Sequence, residues 1–258
     1  MKKITDEKLI KEYLYGIVRE KYDIIKDNCA DIQQDVLLME LALFVIGREY
    51  VNITELEVTS SKIQARLYKR NDKDKNCFIQ LNGDNLVTRK KMDKELNGKS
   101  KSDCLNNNDI YSYILLPFDS NKGSLNKKRA SCAGYNDNLF VFFESLEELY
   151  KKGFMKDDDE DKVKNCICEY KFFWDLFGEG EIGYKHYLDS FCLNDIHGLK
   201  KDYGEFYLKR IYSKGWRDDN FSELERIYRS YESLLKEFHS KRKKLMIKRL
   251  QDICTSTV

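Results

Sequence analysis

The chain has 258 residues, of which 41% are hydrophobic and 35% charged, with a formal net charge of +2 and a mean hydropathy of −0.65. That length can bury a core as one large or two small domains. The longest apolar run, residues 36–46, is short of the roughly 18 residues a membrane span needs and is interrupted by Glu40, which argues against a membrane protein.

The total charge hides a segregation. Residues 60–131 carry sixteen Lys/Arg against eight Asp/Glu, whereas residues 137–190 carry seven against fourteen. Local fields of opposite sign steer partners more than a total near zero does. The eight cysteines, at 29, 77, 104, 132, 166, 168, 192 and 254, are scattered. Met1-Lys-Lys-Ile-Thr leads straight into charged sequence without an apolar leader. Both features point to free thiols and a cytoplasmic setting.

In chain order, Thr5 is expected to cap a first helix, with Ile4 and Leu9 as a hydrophobic staple. Its buried face is Leu9/Ile10, Tyr13/Leu14, Ile17/Val18 and Ile24/Ile25. A second helix over 31–46 is apolar nearly all round and so belongs at the centre of a core, with Gly47 as its C-terminal stop. From Asn52 to Val87 the period changes to that of short strands: Leu56/Val58, Ile63/Ala65/Leu67, Phe78/Ile79/Leu81 and Leu86/Val87. Turns are expected at 71–76 and at Asn82-Gly83-Asp84. A second strand pair is expected at 110–118 and 138–144. The connections over 89–109 and 119–137 are long, polar and rich in Lys, Asn, Ser and Gly, which in loops of this length favours a functional role or disorder.

Ser145 is placed to cap a short helix through Tyr150. Val163, Ile167, Tyr170, Trp174 and Phe177 follow at helical spacing, closing at Gly178, and two further helices are expected near 184–192 and 204–214. The longest helix closes the chain over 221–253. Ser222 and Glu225 match a capping box, Leu224–Phe238 forms an apolar stripe expected to dock on Tyr170–Phe177, and the second half is basic. The expected fold is α+β: an N-terminal helical pair packed on a small, mostly antiparallel sheet, then an all-helical C-terminal half. The division is placed near 153, with an α+β domain over 1–152 and a helical domain over 153–258.

Three constellations carry candidate chemistry. Glu169-Tyr170-Lys171 matches the E-x-K of restriction-type nucleases, in which carboxylates hold a metal and the lysine steadies the attacking water. On a helix, however, the two side chains would point about 200° apart and could not share an ion. Cys166, Cys168, His186, Cys192 and His197 form the one concentration of soft ligands, but C-x-C is not the usual zinc spacing. Asp157, Asp159 and Asp161 begin like a calcium loop, yet Lys162 stands where glycine is needed and Cys168 where the bidentate glutamate is needed. No local motif for a nucleophile, a phosphate-cradling loop or a dinucleotide site occurs, and no cofactor is implied.

The basic clusters remain. Arg89-Lys90-Lys91, Lys99 with Lys101, Lys127-Lys128-Arg129 and Lys241-Arg242-Lys243-Lys244 have the composition that binds phosphate backbones through counterion release. Tyr68, Tyr111 and Tyr113 are candidate stacking faces for unpaired bases. The leading expectation is a non-enzymatic nucleic-acid-associated factor that binds structured RNA or a ribonucleoprotein such as the ribosome. The alternatives are a protein–protein inhibitor or adaptor of phage or mobile-element type, docking through its acidic and aromatic segments, and a metal-dependent nuclease using Glu169 and Lys171.

Overall fold

The computed structural model describes residues 2–26, 33–46, 48, 50–59, 63–69, 72–85, 113–119, 122–125, 139–155, 162–196 and 221–255. The architecture is α+β: N-terminal helices, an antiparallel sheet and C-terminal helices. The strand order is β1 (Lys2–Ile4), β2 (Val51–Val58), β3 (Ile63–Lys69), β4 (Asp72–Asn85) and β5 (Tyr113–Leu116), each pairing antiparallel with the next. A separate short pair joins β6 (Phe118–Asp119) to β7 (Gly123–Ser124).

Side-chain alternation explains which face of the sheet is buried. Val51 and Ile53 point inward, and the register then shifts between Ile53 and Glu55, so that Leu56 is also inward. A bulge adds one residue and inverts the phase that strict alternation would impose. Ile63, Ala65 and Leu67 of β3 and Cys77 and Ile79 of β4 complete that face. Helix α2 (Gln33–Val45) lies against β2, β4 and β5. Every residue from Val36 to Val45 is buried, which accounts for an apolar surface all round.

Helix α1 (Glu7–Lys26) buries Ile10, Leu14 and Val18. Its cap is Asp6, whose Oδ1 accepts the Leu9 N–H at 2.9 Å, rather than the expected Thr5. The staple is also absent, because Ile4 is held in β1 opposite Leu56 and Leu9 is 54% exposed.

Two expected strand features are corrected. Asn82-Gly83-Asp84 is not a turn: β4 runs on through Asn85, and Asn82–Asn85 pairs with Tyr113–Leu116. A strand about thirty residues away overrides the local turn signal. The reversal before it is tighter than expected, since Lys69 already pairs with Asp72. The segment 138–144, read as a strand, instead opens helix α3 (Leu139–Lys152). An apolar run of this length fits either period. Burial of Phe142, Phe143, Leu146, Leu149 and Tyr150 follows the helical one, and Ser145 sits buried inside the helix rather than at its start.

Beyond α3 lie α4 (Lys162–Cys168), α5 (Lys171–Trp174), a 3₁₀ turn (Asp175–Phe177) and α6 (Gly180–Ser190). Here the core is aromatic. Phe44 of α2 stacks on Phe177 at 5.3 Å and meets Phe191 at 5.3 Å, while Tyr187 stands edge-on to Trp174 and Phe177 at 5.2 Å each. Edge-to-face and offset pairs of this kind contribute about 0.5–1.5 kcal/mol each beyond their area. Trp174 Nε1 donates to Ile167 O and Tyr150 Oη to Trp174 O, both at 2.9 Å. Buried apolar residues from Ile10 to Ile253 form one continuous cluster.

Helix α7 (Phe221–Thr255) closes the fold. It packs along α1 and reaches α2. The expected helix over 204–214, the Gly47 stop, all of the connection 89–109 and most of the connection 119–137 lie outside the described residues. So does the side-chain docking of 224–235, most of which is described only as backbone.

Candidate functional site

The second half of α7 is where charge and packing meet. Phe238, His239, Arg242, Met246, Leu250 and Ile253 are buried, and Lys236, Lys241, Lys244 and Lys248 are exposed. Buried positions recur every three or four residues from Phe238 to Ile253, so one face of this half of the helix is docked. Met246 and Leu250, both 0% exposed, pack inside the chain's own core, so residues 241–253 are docked on the chain itself.

Among the described side chains of this helix, cations sort by type. Arginine turns inward. The Arg242 side chain is fully buried, with Nε donating to Phe191 O at 3.0 Å and Nη2 lying 3.3 Å from Glu40 Oε1. Arg249 donates from Nη2 to Asp189 Oδ1 at 2.6 Å and from Nη1 to the Asp189 carbonyl, with Cys192 Sγ 3.2 Å away. Arg48, just beyond α2, meets the other carboxylate oxygen of Asp189 at 2.5 Å and donates to Leu43 O at 3.3 Å. Asp189 is thus held between two guanidinium forks, the geometry arginine provides and lysine does not.

The carbonyls chosen have a common origin. Leu43 O belongs to the last turn of α2, and Asp189 O and Phe191 O lie at the C-terminal end of α6. Helix C-termini leave carbonyls unpaired and carry the negative end of the dipole, so cations are favoured there. Tyr50 adds a neutral clamp. Its ring stacks on His186 at 4.4 Å, and its hydroxyl lies 2.5 Å from Ser190 Oγ. His186 donates from Nδ1 to Phe177 O at 2.9 Å.

Burial shifts the ionisable groups of this cluster. The Glu40 carboxyl is pushed up to about 8 by loss of hydration, against the attraction of Arg242. Burial likewise raises the Cys192 thiol, opposed by Arg249 and Arg242. A thiol held protonated in this way is a poor nucleophile and metal ligand.

Of the residues expected to bind nucleic acid, Lys241, Lys243 and Lys244 lie on or beside the outer face of α7; Lys241 also pairs with Glu237 at 2.9 Å. Arg242 is corrected: it belongs to the core, because the row through Phe238 and Met246 carries it inward. Arg89, Lys90, Lys91, Lys99, Lys101, Lys127, Lys128 and Arg129 lie outside the described residues. Tyr68 is also corrected as a stacking face. It is 3% exposed, with its hydroxyl donating to Glu7 Oε2 at 3.1 Å.

Among the described residues the E-x-K and soft-ligand constellations are not assembled as their chemistry requires, and Asp157, Asp159 and Asp161 lie outside the described residues. Glu169 lies in the turn between α4 and α5, and Lys171 opens α5 and pairs with Asp175 at 2.5 Å. The segment is helix and turn, without the strand face that would align the two. Cys166 and Cys168 are buried on α4, His186 is stacked on Tyr50 and Cys192 faces Arg249, while His197 lies outside the described residues. No group of three or more His, Cys, Asp or Glu side chains suited to a metal ion occurs among the described residues. Among them, too, no helix is long and apolar enough to cross a membrane. A groove of about 440 Å³ between α3 and α6 is lined by Glu147, Lys151, Ile182, Tyr184, Lys185 and Leu188 in part.

Sequence reasoning missed the inward arginines, although two signals marked them. Arg242 falls four residues from both Phe238 and Met246, in line with the apolar row. Glu40 sits inside a helix that is otherwise apolar all round, and an ionisable group buried there calls for a polar partner from another element. No protein family, curated protein or solved structure matches the chain.

Proposed function

We propose that the protein is a non-enzymatic nucleic-acid-associated factor that binds structured RNA, or a ribonucleoprotein such as the ribosome, in the cytoplasm. The observation that carries this reading is the sorting of cations on α7. Arg242 and Arg249 are committed to carboxyl groups and carbonyls of the chain, and among the described side chains an outer row containing Lys241, Lys244 and Lys248 faces solvent. Lysine is a compact point charge on a flexible stem, suited to contacts that follow an irregular phosphate surface without demanding fixed geometry. The basic residues of 89–91, 99–101 and 127–129 extend the same chemistry along the chain, within the positively charged stretch of the sequence. The Lys-, Asn- and Ser-rich composition of 89–109 and 119–137 supplies donors suited to the irregular phosphate surface of folded RNA.

The reading predicts binding dominated by counterion release. Affinity of the full chain for a structured RNA, followed by fluorescence anisotropy, is expected to fall by orders of magnitude between about 50 and 200 mM salt if six or more phosphates are contacted. Association unchanged across that range, or none with RNA or DNA at low salt, would overturn it.

A further inference from the structure

The Glu40–Arg242 pair does not have the geometry of a buried salt bridge. A carboxylate taken out of water needs donors on both oxygens and short, charge-assisted bonds near 2.7–2.9 Å. Glu40 receives Arg242 Nη2 at 3.3 Å on Oε1, while Oε2 is fully buried without a hydrogen-bond partner. A neutral carboxylic acid fits this environment better, because it loses far less hydration on burial and has only its own proton to place.

Nor does Arg242 require a charged partner at Glu40. Its Nε is bound to the Phe191 carbonyl at the C-terminal end of α6, where the helix dipole favours a cation. We propose that Glu40 carries a proton in the folded protein at neutral pH, and that losing this proton loosens the docking of the C-terminal helix on α2.

The charged and titratable groups around Glu40 set the behaviour. Arg242 of α7 is its direct neighbour, and the Cys192 thiol after α6 feels its charge. His239 is buried one turn before Arg242. Arg48 beyond α2 and Arg249 of α7 form the adjoining cluster, where they share Asp189. The sign follows from linkage. A carboxyl that holds its proton more tightly folded than unfolded stabilises the fold at acidic pH. That stabilisation is lost as pH rises from the ordinary glutamate range, near 4.3, through about 8, and levels off above. An ionised, well-formed salt bridge predicts the opposite slope, with stability gained as pH rises through the glutamate range.

Urea unfolding of the full chain between pH 5.5 and 9 separates the two when wild type and Glu40→Gln are compared, since the other titrating groups are common to both. For wild type relative to Glu40→Gln, the unfolding constant is expected to rise by up to about tenfold per pH unit below pH 8. At pH 9 Glu40→Gln is expected to be the more stable protein. Amide exchange across residues 238–253 should show the same dependence after correction for intrinsic rates. A difference between the two proteins that is flat, or that favours wild type increasingly with pH, would overturn the proposal. If Glu40→Gln does not fold, infrared spectra of wild type labelled at glutamate carboxyls decide. A protonated carboxyl band at pH 7 that disappears on titration to pH 9 supports the proposal, and its absence at pH 7 refutes it.

Discussion

Two glycines at opposite ends of the packing scale show how single residues test the fold. Gly183 of α6 faces the chain reversal at Gly178, and a Cβ there would stand 2.5 Å from Gly178 O and 2.8 Å from Tyr150 Cε1. Neither neighbour has room to yield: Gly178 adopts a φ of 105°, and the Tyr150 hydroxyl is bound to Trp174 O. Gly183→Ala is therefore expected to destabilise by about 1–3 kcal/mol, overpacking outweighing the gain in helix propensity. Gly16, exposed in α1, has nothing within 4 Å of its would-be Cβ. There Gly16→Ala is expected to stabilise by about 0.5–1 kcal/mol through propensity alone. Thermal or urea unfolding of the two variants checks both signs; the same sign in both would contradict this packing.

At the scale of elements, α7 is held by its second half. Leu250 is 0% exposed on the row that packs inward, and Arg19 of α1 reaches the Cys254 carbonyl near the end of the helix at 3.4 Å. Leu250→Ala is expected to cost about 2–5 kcal/mol and to expose residues 242–253 to amide exchange. A cost below about 1 kcal/mol would mean that this half is not docked.

The elements also show where the sequence could be read. The apolar-all-round helix expected over 31–46, the alternating strand through Ile63, Ala65 and Leu67 and the long closing helix carry their own periodicity, and each formed close to its expected bounds. The segment 139–143 did not reveal its state, because Leu-Phe-Val-Phe-Phe has no polar residue to mark a period. Asn82-Gly83 misled because its strand partner at Tyr113–Leu116 is remote in sequence. The Asp6 cap was one residue from the expected Thr5, a shift that only the path of β1 determines. Within the candidate site, the outer lysines were legible as composition. The inward turn of Arg242 was not, because a run of Lys-Arg-Lys-Lys looks uniform until the helical row through Phe238 and Met246 divides it.

Across the whole molecule the described cations of the closing helix divide by type: Arg242 and Arg249 lock it to α2 and to the C-terminal end of α6, and lysines face outward, where under the proposed function they would meet a polyanion. The division is physically economical, because the planar, forked guanidinium suits fixed carbonyl and carboxylate geometry while the hydrated ammonium gains little from burial. It makes the two functions separable. Substitutions on the outer row should leave folding untouched, since lysine and glutamine have similar helix propensities and exposed pairs such as Lys241–Glu237 contribute little.

The most direct test is the salt dependence of structured-RNA binding by the Lys241→Gln/Lys244→Gln/Lys248→Gln protein, measured beside wild type with unfolding midpoints for both. The account predicts an unchanged midpoint, weaker binding, and a log-affinity against log-salt slope shallower by about one for each lysine that contacts a phosphate. An affinity and slope equal to those of wild type would contradict it.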